Sequence, residues 1–236
     1  MPSGRIVVTG AVVLARRDHR EYDRVCLLYT EEFGKVPVRF IGVNRPRGKL
    51  KALSEPMVWG EYRLHLRAGS EHGTALGGGI RSVFPGVRAD LECTLRGLEA
   101  CELADRLTPT WQASAEKYGL LTGCLRTLER AALSRASGGP PLSPSWTLAA
   151  FGLRMLEAAG VGASTLRVSE PNRALWDALH AADLDSAAAL PEDRGRQARL
   201  DEYLLRSVER FCDRPFRSPR LRGVLNPAVR PEAVPA

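Results

Sequence analysis

Short apolar runs and segments of apolar–polar alternation occupy the first 84 residues of the chain. Val36, Val38 and Phe40 share one face of a segment whose other face carries Lys35 and Arg39. A period of two residues is typical of half-buried β-strands. The pattern predicts five strands, namely Ile6–Leu14, Val25–Thr30, Lys35–Val43, Val58–Arg67 and Thr74–Val83.

The last predicted strand contains three consecutive glycines, Gly77, Gly78 and Gly79. Glycine inside a strand usually marks a bulge or a sharp bend, as at the corner of a barrel. Five strands in about 80 residues suit a small closed barrel. We therefore expect the N-terminal part of the chain to be a five-stranded OB-fold barrel.

The hydrophobic period lengthens to about 3.6 residues after Phe84, which predicts that the rest of the chain is α-helical. The clearest apolar stripe comprises Tyr118, Leu121, Leu125, Leu128 and Ala132. Ser143 before Pro144 predicts a helix N-cap, and Gly160 predicts the end of that helix. Weaker helical patterns cover residues 172–182 and 195–212.

Net charge differs between the β-rich N-terminal part of the chain and the helical remainder. The 236 residues carry a formal charge of +7, but residues 1–81 hold 14 Lys and Arg against 8 Asp and Glu, whereas residues 82–236 hold 20 against 19. A one-sided basic excess is the electrostatic signature of a polyanion partner. We therefore expect an OB-fold nucleic-acid-binding domain over residues 1–83, an α-helical domain over 84–225 and a flexible tail over 226–236.

The composition argues against membrane and metal functions. No apolar run approaches the roughly 20 residues that span a bilayer, and the N-terminus lacks a signal-peptide pattern. We therefore expect a cytoplasmic, nucleoid-associated protein. The five cysteines include no C-x-x-C pair. They are expected to be small buried hydrophobes, with no bound zinc and no cofactor.

Catalytic motifs are absent from the sequence. The segment from Gly42 to Lys49 resembles a phosphate-binding loop, but the spacing of its glycines is one residue too long and Leu50 replaces the hydroxyl residue that would hold magnesium. The four histidines have no zinc spacing, and no G-x-S-x-G motif occurs. We expect a protein that is not an enzyme, with a catalytic cluster around His180 as the alternative.

The remaining candidates are basic side chains of the predicted barrel. An extended segment with alternating cations can follow a phosphate backbone, because like side chains recur about 7 Å apart. The alternative is that these cations form a solvated charged surface. The acids Asp18, Glu21 and Asp23 favour this alternative for the cations between residues 16 and 24. The predicted nucleic-acid-binding residues are Arg16, Arg17, Arg20, Arg24, Lys35, Arg39, Arg45, Arg47, Lys49 and Lys51.

Aromatic side chains that could stack on bases are sparse in the basic region. The candidates are Tyr22, Phe33, Phe40 and Trp59. Phe40 shares the apolar face of its strand with Val36 and Val38, so we expect it in the core.

The order of several segments resembles that in the bacterial recombination mediator family RecO. The segments are Gly10–Arg17, Glu21–Val25, Tyr29–Lys35, Gly42–Leu50, Phe84–Leu91, Leu153–Gly162 and Arg217–Arg222. Gly42–Leu50 is similar to the family's basic loop, and Phe84–Leu91 to the entry into its helical domain. The similarity covers most of residues 6–225.

The resemblance implies an N-terminal OB-fold and an α-helical domain. It implies binding of single- and double-stranded DNA, annealing of complementary strands, and loading of recombinase onto DNA coated with single-stranded DNA-binding protein during repair of gaps and double-strand breaks. The implied partners are RecR, the acidic C-terminal tail of single-stranded DNA-binding protein and, indirectly, RecA. Many members carry two C-x-x-C pairs after the segment that matches 160–162. Here the next cysteine is Cys212, so the structural zinc of those members is expected to be absent.

An acidic tail that ends in an apolar residue needs an apolar slot with a cation at its rim. The predicted tail-binding residues are Tyr118, Leu121, Leu125, Arg126 and Arg130, and the two arginines are neighbours on a helix because they are four positions apart. The alternative is that the stripe is ordinary core and the cations are solvated. The C-terminal helix, with Arg206 and Arg210, is then the next candidate.

The sequence leaves three other functions open. The first is a general single-strand or RNA-binding OB-fold module. The second is a helical scaffold whose basic barrel contacts an acidic protein. The third is a hydrolase.

Overall fold

A five-stranded closed barrel forms the N-terminal third of the protein, as the sequence pattern predicts. The computed structural model describes residues 4–161, 170–212 and 216–218. The strands are β1 (Arg5–His19), β2 (Asp23–Thr30), β3 (Gly34–Phe40), β4 (Trp59–Leu66) and β5 (Gly73–Ser82). They are hydrogen-bonded in the order β1-β2-β3-β5-β4, and β4 closes the barrel by pairing with β1.

The predicted strand faces are confirmed. Val36, Val38 and Phe40 point into the barrel and are fully buried, together with Tyr62 and Leu64 of β4. The Phe40 and Tyr62 rings meet edge to face with their centroids 6.4 Å apart. Regular packing of one apolar face per strand thus fills the barrel with side chains and leaves the polar positions outside.

The glycine run in β5 permits a close approach of the β4 backbone. The pairing register of β4 with β5 shifts between Arg63 and Leu64, opposite these glycines. A Cβ atom at Gly78 would lie 2.3 Å from the carbonyl oxygen of Glu61, so this position tolerates no side chain. The predicted irregularity at these glycines is confirmed.

Helices form the rest of the described chain. They are α1 (Pro85–Ala89), α2 (Leu91–Arg106), α3 (Ala115–Ala136), α4 (Pro144–Ala158), α5 (Glu170–Ala181), α6 (Leu184–Ala188) and α7 (Arg194–Cys212). The predicted cap of α4 is confirmed, because the Ser143 hydroxyl accepts a hydrogen bond from the Trp146 amide and Pro144 occupies the first turn. The boundary predicted after residue 83 lies between β5 and α1, and the predicted tail lies outside the described residues.

The helices pack on the outside of the barrel. Val12, Leu14, Tyr29 and Met57 of the barrel half belong to the same buried cluster as the apolar faces of α2, α3 and α4. The hydrophobic core therefore continues from one half of the chain into the other.

A buried ionic cluster joins α2 to α7. Arg96 on α2 is 4% exposed, and its guanidinium lies 3.0 Å from Glu99 Oε2 and 2.7 Å from Asp201 Oδ2. The same guanidinium donates to the Ser145 hydroxyl at 2.6 Å. Glu99 and Asp201 are also buried, so the Arg96 guanidinium forms ion pairs with two carboxylates in the protein interior.

The described ranges contain neither a membrane-spanning helix nor a metal-binding cluster. Within them no helix has the length and apolarity that crossing a bilayer requires. No group of three or more His, Cys, Asp or Glu side chains is arranged there to hold a metal ion. Cys26, Cys93, Cys101 and Cys124 are buried, as expected, and burial raises the pKa of the Cys26 thiol to about 12. The absence of zinc stays a prediction.

Candidate nucleic-acid interface

Two basic segments meet at one end of the barrel: the β1–β2 hairpin end, residues 16–24, and the basic loop, residues 41–51. The Asn44 amide donates to the Tyr22 carbonyl at 2.9 Å. The Gly42 amide donates to Asp23 Oδ1 at 2.8 Å, and the Asn44 side chain donates to Asp18 Oδ1 at 3.2 Å. These bonds hold the basic loop against the hairpin, so the cations of both segments belong to one surface.

Arg24 is the internal anchor of this surface. It is 3% exposed. Its guanidinium donates to Ser54 Oγ at 2.7 Å, to Glu55 Oε1 at 2.9 Å, to Asn44 Oδ1 at 3.2 Å and to Asp18 Oδ1 at 3.4 Å. Four of its five N–H donors are thus used inside the protein. Arg24 therefore acts as a positioning residue of the basic loop, and its predicted contact with phosphate stays a prediction.

Asp23 fixes the start of the basic loop and forms an ion pair with Arg39. Its carboxylate accepts from the Gly42 amide and from two nitrogens of Arg39, which is only partly exposed. The Gly42 amide and then Arg39 hold the pKa of Asp23 below its usual value. Arg39 lies beside the surface, but its guanidinium is committed to Asp23.

Lys35 lies away from the basic surface, where the helical half contacts the barrel. Its ammonium group is 2.9 Å from Asp105 Oδ1 and also donates to the Asp105 carbonyl. The backbone of Lys35 accepts the Trp111 amide at 2.9 Å, so the segment after α2 covers this side chain. Lys35 thus has a structural role in joining the barrel to α2, and its predicted contact with nucleic acid stays a prediction.

Seven predicted cations remain exposed at the basic end. Arg16 is one of them, and it pairs with Glu55 at 3.0 Å with its side chain 39% exposed. The other six make no ion pair with any residue that the structure describes: Arg17, Arg20, Arg45, Arg47, Lys49 and Lys51. A group of exposed, unpaired cations attracts phosphates because the attraction is not already satisfied inside the fold.

The basic loop is not extended, contrary to the prediction. The Arg45 amide donates to the Gly42 carbonyl at 3.2 Å, and the Gly48 amide donates to the Arg45 carbonyl at 2.9 Å, so the loop consists of turns. Gly42 has a φ of 66°, a left-handed value that glycine adopts without strain and that ends β3 early. The cations therefore form a compact group and not a row.

Three of the four aromatic candidates lie in the core or pack against side chains outside the basic surface. Phe40 is in the barrel core, as predicted. Trp59 stacks on Phe84 with ring centroids 6.5 Å apart, and its indole nitrogen donates to the Tyr118 hydroxyl at 3.0 Å. Phe33 lies under the guanidinium of Arg5. Tyr22 belongs to the basic surface and is 40% exposed.

The apolar stripe of α3 is closed. Tyr118, Leu121 and Leu125 are buried in the core that the helices share with the barrel, so they offer no slot to a peptide. Arg126 and Arg130 point elsewhere. They line a cleft of about 1070 Å³ between α3, the barrel and the α5–α6 segment.

The cleft combines apolar and cationic groups that sequence reasoning did not connect. Its apolar walls come from separate elements, so no sequence period could assemble them, and the same holds for Arg154 of α4. The apolar lining residues are Trp59, Phe84, Leu120 and Leu184. Arg130 forms an ion pair with Asp185, whereas Arg126 is exposed and makes no ion pair with the described residues.

Comparison with known proteins agrees with this architecture. Residues 5–78 match the family described as "Recombination protein O N terminal". The N-terminal barrel belongs to the RecO family. The match spans the barrel from the start of β1 into the glycine run of β5, including the hairpin end and the basic loop.

Relatives named "DNA repair protein RecO" extend the similarity beyond the barrel. The protein from Geobacter metallireducens is 33% identical over 122 residues, which cover 52% of this chain and 49% of that protein. The protein from Clostridium perfringens is 26% identical over 157 residues, 66% of this chain and 59% of that one. The Bacillus subtilis protein is 32% identical over 97 residues, which cover 41% of this chain and 37% of that protein. The matched part thus spans about half the length of these RecO relatives.

Proposed function

We propose that this chain is a DNA-binding recombination mediator that acts in DNA repair without catalysing a reaction. In this proposal it anneals complementary single strands and helps to load recombinase onto DNA coated with single-stranded DNA-binding protein. The supporting observation is the basic surface, where exposed cations without ion pairs are held together by the bonds of Asp18, Asp23 and Arg24. The similarity to DNA repair proteins supports the choice of DNA as the polyanion.

Replacing Arg45, Arg47, Lys49 and Lys51 with alanine tests the surface. Each phosphate contact on a single strand contributes about 0.7 to the slope of log affinity against log salt, since binding releases counterions. Four lost contacts are expected to reduce that slope by roughly 3. The measurement is a titration of a labelled single strand at several salt concentrations.

A matched control removes the same charge from the helical half. The quadruple variant at Arg194, Arg196, Arg199 and Arg206 of α7 lowers the net charge equally. Its slope is expected to stay close to that of the wild type. An unchanged slope in the basic-loop variant, or equal changes in both variants, contradicts the proposed surface.

The choice of ligand separates the proposal from its alternatives. A mediator should bind single-stranded and duplex DNA and should accelerate annealing of complementary strands. Equal affinity for transfer RNA and single-stranded DNA would favour a general single-strand or RNA-binding module. Binding of an acidic protein without any nucleic-acid binding would favour a scaffold.

We further propose that the cleft beside α3 receives the acidic C-terminal tail of single-stranded DNA-binding protein. Most acids that line the cleft are already bound within the fold. Glu129 accepts the amides of Gly86 and Val87, and Asp185 pairs with Arg130. The exposed Arg126 is therefore available to a carboxylate, next to apolar walls that suit the tail's last residue. RecR and, indirectly, RecA are proposed as the other partners from the family similarity.

Arg126→Glu is expected to weaken binding of an acidic, apolar-ended peptide at least tenfold, through like-charge repulsion at the rim of the cleft. The double variant Arg126→Glu, Arg130→Glu should lose still more. Fluorescence anisotropy with a labelled peptide measures both, and circular dichroism checks the fold. The control is Arg206→Glu with Arg210→Glu on α7. If that pair weakens binding and Arg126→Glu does not, the tail binds on α7 instead.

A further inference from the structure

Tyr22 stands out among the aromatic residues of the barrel because it is exposed and yet held in place. Its ring lies under Arg45, with the guanidinium carbon 5.4 Å from the ring centroid. Its backbone carbonyl accepts the Asn44 amide at 2.9 Å. Tyr22 is thus fixed to the basic loop through both its backbone and its ring.

The turn that presents Tyr22 has an unusual backbone. Arg20 has a φ of 57°, in the left-handed region that non-glycine residues rarely adopt. On the other side of Tyr22, the Asp23 carboxylate holds the Gly42 amide and Arg39. The turn is therefore set in one conformation before any ligand arrives, which reduces the ordering cost of binding.

A tyrosine ring beside a guanidinium plane, with phosphate-binding cations around both, suits the nucleobases of a nucleic acid. Nucleobases stack on aromatic rings and on arginine, and such stacking tolerates any base because every base has a π-face. Arg20, Arg47 and Lys49 are exposed on the same two segments and can hold the flanking phosphates. A base inside a duplex already stacks on its neighbours, so only an unpaired base can use the ring.

We propose that Tyr22 and Arg45 form a stacking platform for an unpaired base of a single-stranded nucleic acid. The proposal rests on the proposed function, because it assigns a base-binding role within the same basic surface. In this proposal, Tyr22 is the residue that distinguishes a single-stranded nucleic acid from a polyanion without bases. Arg45 then serves both the base and the backbone.

The test compares an ordinary oligonucleotide with an abasic strand of the same length, which keeps the phosphates and lacks the bases. The wild type should prefer the ordinary strand. Tyr22→Ala should weaken binding of that strand by about 5-fold to 150-fold, the range for loss of one stacked base. It should leave the abasic strand and the salt slope unchanged. Tyr22→Phe keeps the ring and should bind as the wild type does.

The control is Phe211→Ala, which removes an exposed aromatic ring from α7. It should change neither affinity. If both Tyr22→Ala and Tyr22→Phe bind the ordinary strand with the affinity of the wild type, the stacking platform is overturned and the proposed DNA binding is left intact. Equal affinity of the wild type for ordinary and abasic strands also overturns it. If the wild type binds neither strand, the proposed function fails and the platform with it.

Discussion

Arg96→Met is expected to lower the free energy of unfolding by about 3–5 kcal/mol, the usual range when one partner of a buried ion pair is removed. The guanidinium is the counter-ion of Glu99 and Asp201, which are 1% and 7% exposed. Without it, the two carboxylates in the low-dielectric core lose the guanidinium that lies within 3.0 Å of both. Urea denaturation followed by circular dichroism measures the change.

A triple variant separates the lost charge balance from lost packing. Replacing Arg96, Glu99 and Asp201 together with apolar residues of similar size should recover most of the loss, since apolar substitutes for a whole buried cluster are often neutral or stabilising. If Arg96→Met costs less than about 1 kcal/mol, water must already reach the cluster. If the triple variant is as unstable as the single one, packing at this site is the larger contribution.

Periodicity was sufficient to predict the architecture but not its shortest elements. Period-two alternation placed Val36 and Tyr62 inside the barrel, and a period of 3.6 placed Leu121 and Leu125 in the helical core. Helices α1 and α6 contain only five residues each, too few for a period to show. Their caps are local, such as the Asp183 carboxylate that accepts the Ser186 amide.

Binding residues were harder to predict because a strand pattern says which face a side chain occupies and not what covers that face. Lys35 does lie outside the barrel, as its alternation indicates, but the segment after α2 and Asp105 cover it. Both are about 70 residues away in sequence. No local pattern reports a contact at that separation.

The cleft illustrates the same limit. The stripe on α3 predicted a buried face correctly, and for that reason its residues could not also form an open slot. The exposed Arg126 gains its apolar neighbours, Phe84 and Leu184, only when the barrel and α6 pack beside α3. A site assembled from several elements follows only from the tertiary packing. The basic loop is continuous in sequence, so it could be proposed from the sequence alone, and its role in binding stays a prediction.

Arg24→Met is expected to destabilise the protein by about 2–3 kcal/mol, the scale of hydrogen bonds made by a buried charged group. The variant keeps much of the side-chain volume but leaves Ser54 and Asn44 without their charged donor. The thermal or urea midpoint should fall, and the basic loop should be less firmly held against the hairpin end.

The effect of Arg24→Met on DNA binding should differ in kind from that of an exposed cation. Because Arg24 is an anchor, the variant should weaken single-strand binding several-fold while the salt slope stays as in the wild type. Arg47→Met, which removes an exposed cation of the same loop, should instead lower the slope by about 0.7 and leave stability unchanged. A reduced slope in Arg24→Met would mean that its guanidinium leaves Glu55 and Asp18 to bind a phosphate. The bonds that hold the loop in the free protein would then be exchanged for DNA contacts on binding.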